Sequence, residues 1–261
     1  MESYTSREIM SIIAGRLVND GDILFAGTGV SLLAASAAKR IYAPQSVVFF
    51  ETGGIDPSLD ELPMAVADSR VMTGSSINAG LGESLSLLAH PKLRTIGFIG
   101  AAQIDRFGNV NSTCLGDYNK PSVRFPGAGG ACDALSFAFG MIIFMSHEKR
   151  RFVEKLDYLT SPGWLTGGDS RRRAGYKRGG PMAVVTNMGI MKFDEVTRQM
   201  YLAEYYPGVT PEDIAENTGF SLDLSRALPS APPTGEELRI LREEIDPQRL
   251  ILENSSKQAD G

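Results

Sequence analysis

Apolar positions along the chain follow two rhythms, one helical and one of short continuous runs. In TSREIMSIIAGRLV (residues 5–18), Ile9, Ile12, Ile13 and Leu17 recur at helical spacing, which predicts an amphipathic helix with one buried face. Thr5 followed by Glu8 has the form of a capping box, with Ser6 as a competing cap. Asn19, Asp20 and Gly21 stop this helix. DILFAGTG then reads as a buried strand entering a glycine turn, VSLLAASAAKRIYAP as an alanine-rich helix closed by Pro44, and SVVFFE as the next strand. Strand, turn, helix, strand is the unit of a parallel sheet.

The same unit returns further on. RTIGFIGAAQID reads as a buried strand ending in small residues, GAGGACDALSFAFG as a glycine-led helix, and MIIFMSHE as the strand after it. MAVVTNMGIMKFD reads as two strands around a turn at Thr186, Asn187, Met188 and Gly189. TPEDIAENTG and TGEELRILREEI are short helices, each led by a threonine cap. SPGWLTGGDSRRRAGYKRGGPM is polar and glycine-rich and is expected to be a surface excursion. No repeat or linker divides the chain, so the expectation is one domain over residues 1–253 and a polar tail over 254–261.

Composition narrows the classes of function. The 261 residues suffice for a sizeable core, and 43% hydrophobic residues are ordinary for a folded, water-soluble protein. A net charge of −5 gives no basic field to draw nucleic acid or anionic membrane. Two cysteines, Cys114 and Cys132, are too few for a disulfide framework and suggest a reducing cytoplasm. The N-terminal stretch lacks the charged leader and apolar core of a secretory signal, and no apolar run approaches the roughly 20 residues of a membrane-spanning helix. The expected setting is therefore cytoplasmic.

Several familiar motifs are missing. GTGVSL and GAGGAC each lack the last glycine of GxGxxG, and there is no phosphate-loop or GxSxG signature. The two histidines, His90 and His147, form no metal-ligand constellation, since HEKRR is not HExxH, and both are expected to be structural or surface residues. The basic runs 149–151 and 171–173 are read as solvated faces. Two stretches carry more chemistry. The loop GAGG opens a helix, where unpaired backbone N–H groups can bind a phosphate or an oxyanion; glycine can equally serve close packing against the sheet. Glu51 ends an apolar strand just before a glycine pair, at the carboxyl end where open α/β sheets bind ligands. A carboxylate there can attack an activated acyl group to form an anhydride, or can simply be a solvated strand end. Gln103, at the end of another strand, can meet a ligand or satisfy its own loop.

Taken in order, GTGVSLLAASAAKRIYAP, FFETGGID, GAAQIDRFGNVNST, GAGGACD, HEKRRFVEKLDYLTSPGW, GIMKFDEVTRQMYLAEYYPG and TPEDIAENTGF resemble the β subunits of the family I CoA-transferases, of the glutaconate CoA-transferase type, over about residues 4–247. No single piece is decisive, but the ordered set is specific. The resemblance implies an open, mainly parallel α/β sheet flanked by helices, of the CoA-transferase (NagB/RpiA-like) type. It implies a subunit active only with a homologous α subunit, in a heterodimer that assembles further to α2β2 or larger. The substrates would be an acyl-CoA and a carboxylic acid, with coenzyme A as substrate and neither a permanently bound cofactor nor a metal. The family's glutamate, followed by a small residue and glycine, maps onto Glu51, Thr52 and Gly53, which makes Glu51 the implied nucleophile carrying a glutamyl-CoA thioester. The family's oxyanion-stabilising glycine loop maps onto 127–130, with Gly127, Gly129 and Gly130 as candidate N–H donors. Thr52, Gly53 and Gln103 are the candidate substrate-pocket residues. Two other readings share the scaffold: an acyl-CoA decarboxylase or hydrolase using Glu51 as a base or not at all, and a non-catalytic CoA-binding subunit.

Overall fold

The continuous apolar runs become buried strands, and the capped amphipathic segments become helices around them. A computed structural model describes residues 3–253, and the tail expected at 254–261 lies outside the described residues. Where the sequence suggested one domain, contacts group the described residues into two compact units: Met1–Ile99 with Pro233–Gly261, and Gly100–Pro232.

In the first unit, Thr5 and Glu8 close the expected capping box on α1 (Ser6–Gly15), which buries Ile9, Ile12 and Ile13. The helix ends at Gly15, so Leu17 falls outside it, and Val18 is the buried residue beyond its end. Strand β1 (Ile23–Ala26) leads into α2 (Val30–Ala37), whose continuation Ala38–Tyr42 is wound as a π-helix. Strand β2 (Val47–Phe49) follows, then the short β3 (Gly54–Ile55) and β4 (Ile77–Asn78), helix α3 (Leu81–Ser86) and β5 (Thr95–Gly100). The strand order is β4-β3-β2-β1-β5. β1 runs parallel to β2 and to β5, whereas β3 and β4 add antiparallel pairings. β5 is buried from Thr95 to Ile99, as a strand covered on both faces should be.

The second unit opens with two small hairpins, β6 (Gln103–Ile104) with β7 (Val110–Asn111) and β8 (Cys114–Asp117) with β9 (Lys120–Arg124). Helix α4 (Ala131–Phe137) then packs on β10 (Gly140–Phe144), which is buried throughout. The excursion 161–180 carries one short helix, α5 (Ser170–Arg173). β11 (Pro181–Val185) is parallel to β10, and the predicted hairpin joins it to antiparallel β12 (Gly189–Phe193). β13 (Met200–Tyr205), α6 (Pro211–Glu216) and β14 (Leu228–Pro229) complete this unit. The chain then returns to the first unit with α7 (Gly235–Arg239), capped by Thr234 and extended by a π-helical segment, Ile240–Ile245. There Glu237, 8% exposed, meets Arg16 at 2.7 Å and Tyr42, while Arg242 meets Glu8 at 2.6 Å. The expected open α/β class with helices flanking mainly parallel strands is present, with antiparallel strands added outside the parallel pairs.

Candidate active site

Glu51 sits in a turn whose shape is imposed from all sides. Phe50, fully buried, anchors its start, and the Phe50 N–H donates to the Gly54 carbonyl at 3.0 Å. The Gly53 N–H donates back to the Phe50 carbonyl at 3.0 Å, which closes the turn over Glu51 and Thr52. Ser84 Oγ donates to the Glu51 carbonyl at 2.6 Å, and Thr52 Oγ1 to the Val66 carbonyl at 2.8 Å. Gly53 has φ +110°, and a Cβ there would run into the Ala79 carbonyl, just as one on Gly54 would run into that of Val71. The two glycines therefore let β3 and the segment leading to α3 close against the turn. Glu51 itself is half-buried, directly after a strand that runs parallel to β1, at the carboxyl ends of both. The turn thus has a fixed backbone and one half-buried carboxylate.

The glycine loop lies in the second unit and is held by β7. Ser112, just after β7, accepts the Gly127 N–H at 3.1 Å on its carbonyl, and its Oγ donates to the Gly127 carbonyl at 3.0 Å. The Gly127 N–H is therefore occupied. The Gly130 carbonyl accepts from Ala134 and begins α4, while the N–H groups of Ala128 and Gly129 have no partner among the described residues. Gly127 and Gly129 have φ +99° and +49°, and a Cβ on either would meet nothing within 4 Å. These glycines answer the sign of the backbone, and the space beside them is open.

Gln103 belongs to the network behind that loop. Its Oε1 accepts from Asn111 Nδ2 at 2.8 Å and from the Asp157 N–H at 3.2 Å, and its Nε2 donates to Asp157 Oδ2 at 3.1 Å. Asn111 Nδ2 also donates to the Cys114 carbonyl at 2.7 Å. Gln103 thus fixes β7, and β7 through Ser112 fixes Gly127. Thr52 and Gly53 share a unit with Glu51, whereas Gln103 and 127–130 belong to the other. Sequence reasoning missed Ser84, Ser112 and Asp157. The first and last reach their partners across 33 and 54 residues, and nothing local in the chain marks such pairings.

His147 is buried and neutral. It stacks on Phe152 with ring centroids 4.1 Å apart, and burial lowers its pKa to about 4. His147 Nε2 lies 2.9 Å from Thr218 Oγ1, which itself donates to the Ile214 carbonyl at 2.8 Å, and its Nδ1 lies 3.3 Å from Thr186 Oγ1. Its contacts are those of a packed core residue. Cys114 is fully buried and Cys132 half-buried, both as free thiols. Among the described residues, no helix is long and apolar enough to cross a membrane.

Residues 7–217 match the family model for coenzyme A transferase. The chain is 44% identical to the B-type chain of glutaconate CoA-transferase from Acidaminococcus fermentans, over 96% of each chain. It is 36% identical to the B-type chain of 3-oxoadipate CoA-transferase from Pseudomonas knackmussii, over 93% of this chain and 94% of that one. The crystal structure of the Acidaminococcus fermentans glutaconate coenzyme A-transferase superposes with a TM-score of 0.92, covering 96% of this chain and 98% of the other.

Proposed function

The chain belongs to the coenzyme A transferase family, and from that premise we propose that it is the B-type subunit of an enzyme that moves CoA between an acyl-CoA and a free carboxylic acid through Glu51. The observation that carries the assignment of Glu51 is the turn around it, in which Gly53 and Gly54 admit no side chain and Ser84 holds the Glu51 carbonyl. A carboxylate on a fixed backbone spends little orientational freedom in reaching one position for attack.

The reaction proceeds in balanced halves. A Glu51 oxygen attacks the thioester carbonyl, the C–S bond breaks, and CoA leaves as thiolate from a mixed acyl-glutamyl anhydride. The thiolate then attacks the glutamyl carbonyl, releasing the donor acid as carboxylate and leaving CoA on Glu51 as a thioester. An acceptor carboxylate runs the two steps in reverse. Each tetrahedral intermediate carries an oxyanion, for which the Gly129 N–H is the donor we favour, because the Gly127 N–H is already spent on Ser112. Within this reading Gln103 is a positioning residue for the loop, Thr52 holds the turn, and coenzyme A is a substrate. The partner is the homologous A-type subunit, since both curated relatives above are B-type chains of CoA-transferases. Their two names point to dicarboxylic acyl groups as the first substrates to try. Transfer is favoured over decarboxylation or hydrolysis on the same grounds.

The test uses the chain co-purified with its A-type partner and acyl-CoAs labelled in the CoA moiety, offered with a panel of short dicarboxylic acids. Label appearing on an acceptor acid, with ping-pong kinetics, is the expected result. Free CoA formed in step with water uptake, or carbon dioxide release without an acceptor, would instead assign the chain to the hydrolytic or decarboxylating reading.

A further inference from the structure

The basic run 171–173 reads from the sequence as a solvated face, and the structure divides it. Arg172 and Arg173 are exposed, whereas Arg171 is 3% exposed. Its Nη1 donates to the carbonyls of Pro162 and Gly163, and its Nη2 to those of Leu135, Ser136 and Arg178, at 2.7–3.4 Å. Leu135 and Ser136 lie in the last turn of α4, so the guanidinium also faces the negative end of that helix. These contacts hold Arg171 in place but do not neutralise it: among the described residues no carboxylate pairs with it, and its Nε has no partner. Burial pulls its pKa down to about 10, the direction expected of a cation withdrawn from water without a counter-anion.

Arg171 lines a cavity of about 610 Å³. Phe139 before β10, Gly180 before β11, Glu195 after β12 and Arg198 before β13 all border it, which places it at the edge of the sheet where β10 and β11 begin. The glycine loop is at the other edge. Ala101 donates to the carbonyl of Phe144, the last residue of β10, Ala102 donates to Asn111, and Ser112 holds Gly127. Helix α4 joins them: the loop is at its start and the carbonyls that hold Arg171 are at its end, roughly 10 Å along its axis.

Four further cations line the cavity, Arg172, Lys177, Arg178 and Arg198, and of these Arg172, Lys177 and Arg198 form no ion pair among the described residues. Elsewhere in the chain arginines meet carboxylates, as Arg16, Arg40, Arg94, Arg106, Arg226 and Arg242 do. Arg198 is set in a left-handed backbone conformation, φ +60°, and its guanidinium stacks 4.4 Å over the Trp164 ring at the cavity wall. Of the two acids on the wall, Asp169 is already joined to Arg173 at 3.3 Å, which leaves Glu195 among the five cationic side chains of the lining. In a chain of net charge −5 this is a local reversal of sign.

We infer that this cavity is a binding site for a small phosphorylated polyanion of about diphosphate size. Guanidinium forks match phosphate oxygens two at a time, and several of them around one cavity suit a multiply charged group better than a single carboxylate. The volume falls in the range of small-molecule sites and exceeds what one orthophosphate fills. The lining includes neither Glu51 nor residues 127–130, so the inference stands whether or not CoA transfer proves to be the reaction.

Trp164 is the single tryptophan of the chain and reports on the cavity directly. Pyrophosphate is titrated against the full chain with its partner subunit, following fluorescence and, in parallel, heat by calorimetry, with Trp164→Phe measured alongside to remove any partner signal. Expected are a saturable fluorescence change lost in Trp164→Phe, saturable heat, and an affinity at least about tenfold weaker in the exposed double variant Arg172→Gln/Lys177→Gln. CoA transfer by that variant at saturating substrate should stay at the parent level. Absence of both signals, reproduction of them by sodium chloride at matched ionic strength, or indifference to the double substitution would overturn the site. Citrate binding as tightly as pyrophosphate would overturn its assignment to phosphate.

Discussion

In the turn that carries Glu51, glycine is required because neighbouring backbone closes in on it, at Gly53 in addition to a positive φ; at Gly127 and Gly129 it is required by the sign of φ alone, while the space around them stays open. The same residue type thus answers opposite demands. Gly53 and Gly54 make a rigid frame around the Glu51 carboxylate, so their substitution acts first on folding. Gly129 holds a backbone N–H with no partner among the described residues, beside open space, so substitution there acts first on that N–H and its surroundings and less on folding. A glycine's role is read from what a Cβ would meet, and only afterwards from its place in a motif.

The sharpest way to break this contrast is Gly53→Ala. The added methyl meets the Ala79 carbonyl in a backbone conformation that alanine avoids, and stability should fall by about 3–5 kcal/mol in chemical unfolding, with activity lost alongside. A variant of parental stability would show that the turn is looser than its contacts imply.

Acid should separate the two units next. His147, in the unit of the glycine loop, is held neutral with its pKa lowered to about 4 by burial, so the unfolded chain takes up a proton below pH 6.5 while the folded chain resists. Stability is full above pH 6.5, declines by about 3 kcal/mol as pH falls toward 4, and changes no further from this group below that. Glu237, in the unit of Glu51, behaves otherwise. Burial alone would raise its pKa, but hydrogen bonds from Arg16, Thr234 and Tyr42 outweigh it and lower the value to about 2. Its contribution is present above pH 4.5 and lost only between 4.5 and 2. Hydrogen exchange at pH 5 should therefore show protection falling in β10, β11 and β12 before α1 and α7; simultaneous loss would contradict the assignment.

A smaller effect is expected at Gln103→Leu, which leaves Asn111 and Asp157 with unsatisfied groups near β7. A loss of about 1–3 kcal/mol in stability is expected, together with a lower kcat from a displaced glycine loop. Acyl-CoA KM rising with kcat intact would instead put Gln103 in contact with substrate. The smallest stability effect belongs to Gly129→Ala, about 1–2 kcal/mol for a left-handed alanine with no clash. Its activity should fall more than that stability loss explains, and equal losses in both would remove the reason to single out the Gly129 N–H.

Much of this contrast was legible in the chain and some of it was not. Thr5 with Glu8 and Thr234 with Glu237 announced their helices, because a capping box is a local pattern. The apolar runs ILFA and GMIIF announced parallel strands through their continuous hydrophobicity. Glu51 stood out because a carboxylate ended such a run. The two-residue strands β3 and β4 left no periodicity to find, and the π-helical ends of α2 and α7 look like ordinary helix in sequence. The excursion 161–180 misled for a different reason. Ser161, Pro162 and Gly163 are buried, and Asn109 Oδ1 accepts the N–H groups of Gly163 and Leu165, which pins the segment down. Arg171 in a basic run looks solvated, because its partners are backbone carbonyls and carbonyls carry no residue signature.

The most direct measurement is covalent. The chain with its A-type partner is incubated with an acyl-CoA substrate, reduced with borohydride, and digested for mass spectrometry. Reduction of the Glu51 side chain to the alcohol, dependent on acyl-CoA and absent in Glu51→Gln, is the expected result, and that variant should unfold like the parent while losing transfer. Turnover with Glu51 unmodified, or transfer that persists in Glu51→Gln, would contradict the role given to this carboxylate.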